Sequence, residues 1–307
     1  MSPTRRDFLL TTSAAALAGT LARPSMVLGL QAQEAQPVFT PMRGDVGFFT
    51  MRGGTVGWMV NADAVVVVDS QFPAEAAACL QGLNQRSGGR MVDCLINTHH
   101  HGDHSGGNVS YRGSTRKVVA HAKASEHMKS PPGGQPPEDQ LYPDTTFTES
   151  WSADVGAEKV WARHYGRAHT SGDAVITFER ANVVHMGDLM FHRRHPVVDR
   201  AAGATLRGWM SVLDRTVADH AKDTAYIFGH AATGLQPVGT WTDLVRYHDY
   251  LGATLDWVGA HIKAGRSLEE VQATEGPLPG FEDFGPWGRP GAREIRTCAY
   301  QEITEGA

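Results

Sequence analysis

"NTHHHGDHSGGN", residues 97–108, carries four histidines and an aspartate within six positions. It follows the apolar run "MVDCLIN" (91–97), which reads as a buried strand. Side chains at i and i+2 of a strand leave the same face, so His99 and His101 at its end can reach one centre. His100 then points the other way and is set aside as a ligand. Gly102 lets the chain turn tightly, and Asp103 and His104 come from the loop or helix start beyond it. One short segment thus offers two pairs of donors aimed at neighbouring points. Imidazole and carboxylate together suit Zn²⁺, and would also suit Mn²⁺ or Fe. A lone histidine here would be read as a solvated turn residue; four after an apolar strand make a different pattern.

Further donors stand along the chain. "GRAHTSGD" (166–173) places His169 after a strand, with Thr170, Gly172 and Asp173 in a turn. "VVHMGDLMF" (183–191) brings Asp188 to a strand end, and "YIFGHA" (226–231) does the same for His230. The intervening sequence reads as strands at "VGFFTM" (46–51), "TVGWMV" (55–60), "AVVVVD" (64–69), "RKVVAH" (116–121), "KVWARHY" (159–165), "AVITFE" (174–179) and "TAYIFGH" (224–230). Helices are expected over 72–85, where Pro73 sits near the start, and over 122–129, 206–221 and 240–264. "SLEE" (267–270) is a capping box opening a last one. Two mixed sheets packed face to face with helices outside would bury these runs. The expected fold is α+β, a four-layer αββα sandwich in one domain spanning 36–307.

The ordered set His-x-His-x-Asp-His, then His, then Asp, then His resembles the metallo-β-lactamase superfamily, from about Phe39 to the helix after His230. The resemblance implies the αββα sandwich with a dinuclear metal site along one edge. On it, His99, His101 and His169 would hold one metal, Asp103, His104 and His230 the other, and Asp188 would bridge them. Asp69, ending "VVVVD", matches the family's outer aspartate that orients ligands by hydrogen bonding. True lactamases of the family usually lack the bridging aspartate, whereas glyoxalase II-type thioesterases, lactonases and phosphodiesterases keep it. "GHA" stands where many relatives have Gly-His-Gly, so Ala231 narrows that turn's freedom while the ligand is kept. The implied enzyme is a metallo-hydrolase with two Zn²⁺. Its metal-bridging hydroxide would attack an ester, lactone, thioester or β-lactam carbonyl of a small molecule, with Asp103 passing a proton to the leaving group. β-Lactamase activity is expected to be weak at best. No G-x-S-x-G nucleophile motif is present.

Two readings of other classes compete. One is an iron-dependent redox enzyme, similar to persulfide dioxygenases; these relatives do not need the full second ligand set that is present here. Diiron flavoproteins of the family carry a Glu in the first motif and a flavin domain, and this chain has neither. The other is a non-catalytic periplasmic metal-binding accessory protein.

The 307 residues carry a net charge of −5 and no basic cluster, which argues against nucleic acid as a partner. "TRRDFLL" followed by "TTSAAALAGTLA" reads as a twin-arginine export signal over 1–32, with Arg5 and Arg6 as the pair and cleavage near Ala32 or Ala35. The run from Phe8 to Ala22 is too short and too polar to span a bilayer well. A periplasmic or secreted protein with no stable membrane span follows. Cys79, Cys94 and Cys298 form no CxxC, and at most one pair could join. His192, His195, Arg193 and Arg194 in "FHRRHPVVD" are weaker substrate contacts than solvated loop residues. His121, His164 and His185 read as satisfied core or surface histidines, and Trp209 as core. The Pro/Gly-rich stretch 130–144 is the best lid, with Tyr142 a candidate contact.

Overall fold

Alternation along the strands decides the layering. The computed structural model describes residues 36–131, 134–286 and 291–305. The export signal, with Arg5, Arg6, Ala32 and Ala35, lies outside the described residues. Strands β1 (Val38–Arg43), β2 (Val46–Thr50), β3 (Val56–Val60) and β4 (Val65–Val68) form an antiparallel meander. Helix α1 (Pro73–Ser87) crosses to β5 (Cys94–Ile96), parallel to β4. After α2 (Gly102–Ser105), β6 (Val118–His121), α3 (Ala122–Lys129) and β7 (Thr145–Phe147), the first sheet is complete with seven strands in the order β1 to β7.

The second half repeats the scheme. β8 (Ser150–Val155), β9 (Glu158–Arg163), β10 (Val175–Phe178) and β11 (Val183–His185) are antiparallel neighbours. β12 (Phe191–His192) precedes α4 (Leu206–Asp219), which leads to β13 (Ala225–Ile227), parallel to β11. β14 (His230–Ala231) pairs with β12, and β15 (Val238–Gly239) closes the six-stranded second sheet beside β13. Helices α5 (Trp241–Lys263), α6 (Leu268–Gln272) and α7 (Ala292–Glu305) follow. None of the described helices is long and apolar enough to cross a membrane.

The period of two sorts these residues into three apolar layers. In β4, Val66 and Val68 face the space between the sheets, where they join Val160, Ile176 and Ile227. Val65 and Val67 face the other way and pack with Ala76, Cys79 and Leu83 of α1. In the second sheet Val183 and Ile227 point inward, while Val184 and Tyr226 meet Trp209 of α4 and Leu244 and Tyr247 of α5. Helix, sheet, sheet, helix is the αββα order expected from the sequence. The cysteine thiols are free and buried.

Three features differ from the sequence reading. The first strand before the histidines ends at Ile96, where its ladder with β6 stops, so His99 and His101 lie beyond it in an irregular bend. Strand periodicity therefore does not align them. β1 and β8 went unread because both are half exposed on sheet edges and lack an apolar run. Helix α7 was also missed, although Ile295, Cys298 and Ala299 carry its spacing. Its Glu302 is buried and accepts the free N–H groups of Leu206 (2.7 Å) and Arg207 (3.1 Å) at the start of α4. That carboxylate does the capping work that the side chain of the N-cap residue Thr205 leaves undone.

Candidate metal centre

Hydrogen bonds, and not strand pleating, aim the rings. The Thr98 N–H donates to Asp69 Oδ1 (2.7 Å) and its hydroxyl to Asp69 Oδ2 (2.7 Å). His99 Nδ1 lies 3.0 Å from that hydroxyl oxygen, and His104 Nδ1 lies 2.8 Å from Asp69 Oδ2. His169 Nδ1 lies 3.0 Å from the Val197 carbonyl, and His101 Nε2 lies 2.9 Å from Asp199 Oδ2. With its outer nitrogen donating to these acceptors, each ring presents its other nitrogen as a lone pair. Asp69 sits at φ 65°, a left-handed conformation in which Asp and Asn are enriched.

The inner atoms converge in two groups. One candidate ligand atom from each of His99, His101, His169 and Asp188 lies within 4.8 Å of the others, and the same holds for Asp103, His104 and His230. Asp188 stands between the groups. Its Oδ1 is 3.0 Å from His104 Nε2 and 3.3 Å from His230 Nε2. Its Oδ2 is 3.8 Å from His99 Nε2 and 3.6 Å from His169 Nε2. Asp103 Oδ2 is 3.2 Å from His230 Nε2. All seven predicted ligands are thus brought together.

These donors fit cations. His169 Nε2 faces His101 Nδ1 at 3.0 Å, and His104 Nε2 faces His230 Nε2 at 3.3 Å. Once these nitrogens are deprotonated, each pair aims two lone pairs at one point, which a cation between them would satisfy. His99 Nε2 is buried and makes no hydrogen bond among the described residues. Such orphans are costly unless something else satisfies them. The backbone makes room. A Cβ at Gly229 would collide with Asp188 Oδ1, and one at Gly54 with the His104 ring. His185 accepts the Gly187 N–H at Nδ1 (3.1 Å), and its Nε2 lies 3.1 Å from the Thr55 carbonyl. It is a satisfied core histidine, as expected, and it also fixes the turn that carries Asp188.

The charges divide the histidines. Burial holds His99 well below its ordinary range and His169 at about 3, so both are neutral donors at neutral pH. Burial also opposes charge on His104, but Asp188, Asp103 and Asp69 outweigh it and hold that ring well above its ordinary value. His230 is raised in the same way, burial being overcome by Asp188 and Asp103. Burial opposes the charged form of Asp188, and His104 and His230 outweigh it to keep the carboxylate ionised. Raised values mean that His104 and His230 hold their protons more tightly than free imidazole does. A cation must displace them. Zinc added to metal-stripped protein in weak buffer at neutral pH should therefore release protons, read with an indicator dye. Uptake with no release would contradict this charge arrangement.

The remaining candidates fall into place. His100 belongs to neither group: its Nε2 is 3.6 Å from Asp199, its ring is 4.8 Å from that of His127, and with His101 and Asp199 it forms a third cluster of ligand atoms within 4.8 Å of one another. Asp199, which anchors His101, went unread: it closes "FHRRHPVVD" with no spacing to mark it. His195 is buried against Tyr250 (Nδ1 to Oη 2.7 Å), and Arg193 pairs with Asp243 and Asp283. His192 Nδ1 lies 2.8 Å from the Gln236 carbonyl, so this segment is a structural brace and not a solvated loop. His121 and His164 stack at 4.0 Å, each with a backbone carbonyl partner. Trp209 is core, and its Nε1–H donates to the Leu189 carbonyl (2.9 Å). In 130–144, Gln135 and Gln140 border a cavity beside His101, whereas Tyr142 is not among its lining residues.

The metallo-β-lactamase superfamily model matches residues 50–277. The chain belongs to the metallo-β-lactamase superfamily. It is 31% identical over 131 residues to the hydroxyacylglutathione hydrolase of Methylococcus capsulatus, a match covering 43% of this chain and 44% of that protein. The matched stretch thus spans less than half of that relative's length. Among solved structures, a metallo-β-lactamase from Pontibacter korlensis superposes with TM-score 0.56 at 18% identity, covering 71% of this chain and 99% of the other. A stereoselective inverting sec-alkylsulfatase from Pseudomonas sp. gives 0.67 at 16% identity, over 87% of this chain and half (50%) of the other. At such identities these superpositions establish the fold alone.

Proposed function

We propose that this superfamily member is a dinuclear metal-dependent hydrolase acting on an ester, lactone, thioester or β-lactam carbonyl of a small molecule. Zinc is the favoured metal, and Mn²⁺ or Fe would also suit the donors. The observation that carries the reading is Asp188, with one carboxylate oxygen against each donor group. His99, His101 and His169 would hold one ion, and Asp103, His104 and His230 the other. When bound, such a pair polarises a substrate oxygen and brings the pKa of a coordinated water from 15.7 to about 7.

The chain's own contribution is orientation and proton handling. Asp69, Thr98, Asp199 and the Val197 carbonyl fix four imidazoles before substrate arrives, so no reorganisation is left for the reaction. Asp103 is the exposed member of its group, its side chain 23% accessible against 3% for His230. Its carboxylate can carry a proton to the departing group. The relative named as a hydroxyacylglutathione hydrolase supports hydrolysis of a thioester or a related acyl compound.

The test is a screen of metal-quantified protein against esters, lactones, thioesters, phosphodiesters and β-lactams. Metal-dependent turnover of an acyl substrate supports the reading. Stoichiometric metal with no hydrolysis of any class would reject it. On the twin-arginine reading of Arg5 and Arg6 the enzyme works outside the cytoplasm. Arg5→Lys with Arg6→Lys should hold it inside, and continued secretion of that variant would refute export by this route.

A further inference from the structure

Beside the candidate metal centre lies a cavity of about 290 Å³. His101, shared with the first donor group, forms one wall, and His100, His127, Gln135, Gln140 and Asp199 form others. The remaining lining is glycine, serine, proline and methionine, so the described lining includes no lysine or arginine. Asp199 is the one carboxylate there, held by His101 and by the Ala202 N–H (2.9 Å). The Gln140 amide is committed to the backbone, donating to the Ser105 carbonyl and accepting from the Leu141 N–H. His100 Nδ1 is buried with no hydrogen-bond partner among the described residues.

We infer that this cavity receives an uncharged part of the substrate, so that the enzyme selects neutral esters or lactones over acyl compounds that carry a carboxylate on the same group. The inference rests on the hydrolase reading above and specifies its substrate class. The cavity is at the small end of the roughly 300–1,000 Å³ usual for ligand sites. A carboxylate entering it would lose hydration with no lysine or arginine of the described lining to replace it, and would face Asp199. A carbonyl, ether or hydroxyl would pay neither cost. The discrimination therefore comes from repulsion as much as from fit.

The experiment compares phenyl hexanoate with monophenyl adipate, a pair differing in a terminal methyl against a carboxylate, on the zinc-loaded full chain. The neutral ester should show kcat/KM higher by at least about tenfold, which corresponds to ~1.4 kcal/mol. Gln135→Lys, placing a cation on the cavity wall, should narrow that ratio severalfold. Equal rates on the two esters, or a faster adipate, would overturn the inference while leaving the hydrolase standing. A ratio unmoved by Gln135→Lys would overturn the assignment to this cavity. No turnover of either ester would overturn the acyl-hydrolase reading and this inference with it.

Discussion

Asp188→Ala should leave fewer than two metal ions per chain and lower kcat/KM on any accepted substrate by on the order of 10³-fold or more. The loss should exceed the roughly 10–100-fold that follows removal of an outer partner of a ligand, because Asp188 faces both donor groups at once. Asp188→Asn separates the two oxygens. It keeps one carbonyl but turns an amide toward the histidines of the other group, so one metal position should survive and the second fail. Either variant also removes the carboxylate that overcomes burial at His104 and His230, so zinc-driven proton release should shrink with it. Elemental analysis and a dye titration read these outcomes. An Asp188→Ala protein with full metal content and full activity would end the bridging assignment.

Asp69→Ala should weaken zinc affinity by roughly 10–100-fold, although Asp69 faces neither donor group's interior directly. The carboxylate accepts from Thr98 twice and lies against His104, so its removal strands three buried polar groups. Each donor left without an acceptor costs about 1–3 kcal/mol. The metal-stripped variant should accordingly unfold at clearly lower urea, and the zinc-bound form should recover only part of the difference. Asp69→Asn keeps the backbone preference at φ 65° but presents an amide that cannot serve all three donors. It should therefore fall between Ala and the parent. Unchanged affinity in a competition titration would remove Asp69 from the site.

The ligands were legible because metal chemistry restricts residue types. His99, His101, Asp103, His104, His169, Asp188 and His230 were all named from type, order and position relative to apolar runs. The geometric reason offered for His99 and His101 was nevertheless wrong. Their alignment comes from Thr98, Asp69 and Asp199, through contacts 29 and 98 residues apart in sequence. A single aspartate contacting a ring 98 residues away leaves no periodic trace, and so Asp199 could not be read. The same holds for the brace formed by His192, Arg193 and His195, where polar residues in a row resemble a solvated loop. The layering was readable from β4, whose four valines need apolar partners on both faces. The edge strands β1 and β8 were not, because β1 has no fully buried residue and β8 has only Val155.

Glu302 ties the final helix to the chemistry from a distance. It terminates the free end of α4, whose Trp209 lies with its ring 5.5 Å from that of His169 and bonds to Leu189, the residue after Asp188. Shortening the polypeptide to before Glu302, as is often done to improve expression, would loosen the floor beneath two of the seven donors while leaving every one of them in place. Such a trimmed protein would bind its ions poorly for a reason invisible at the centre itself.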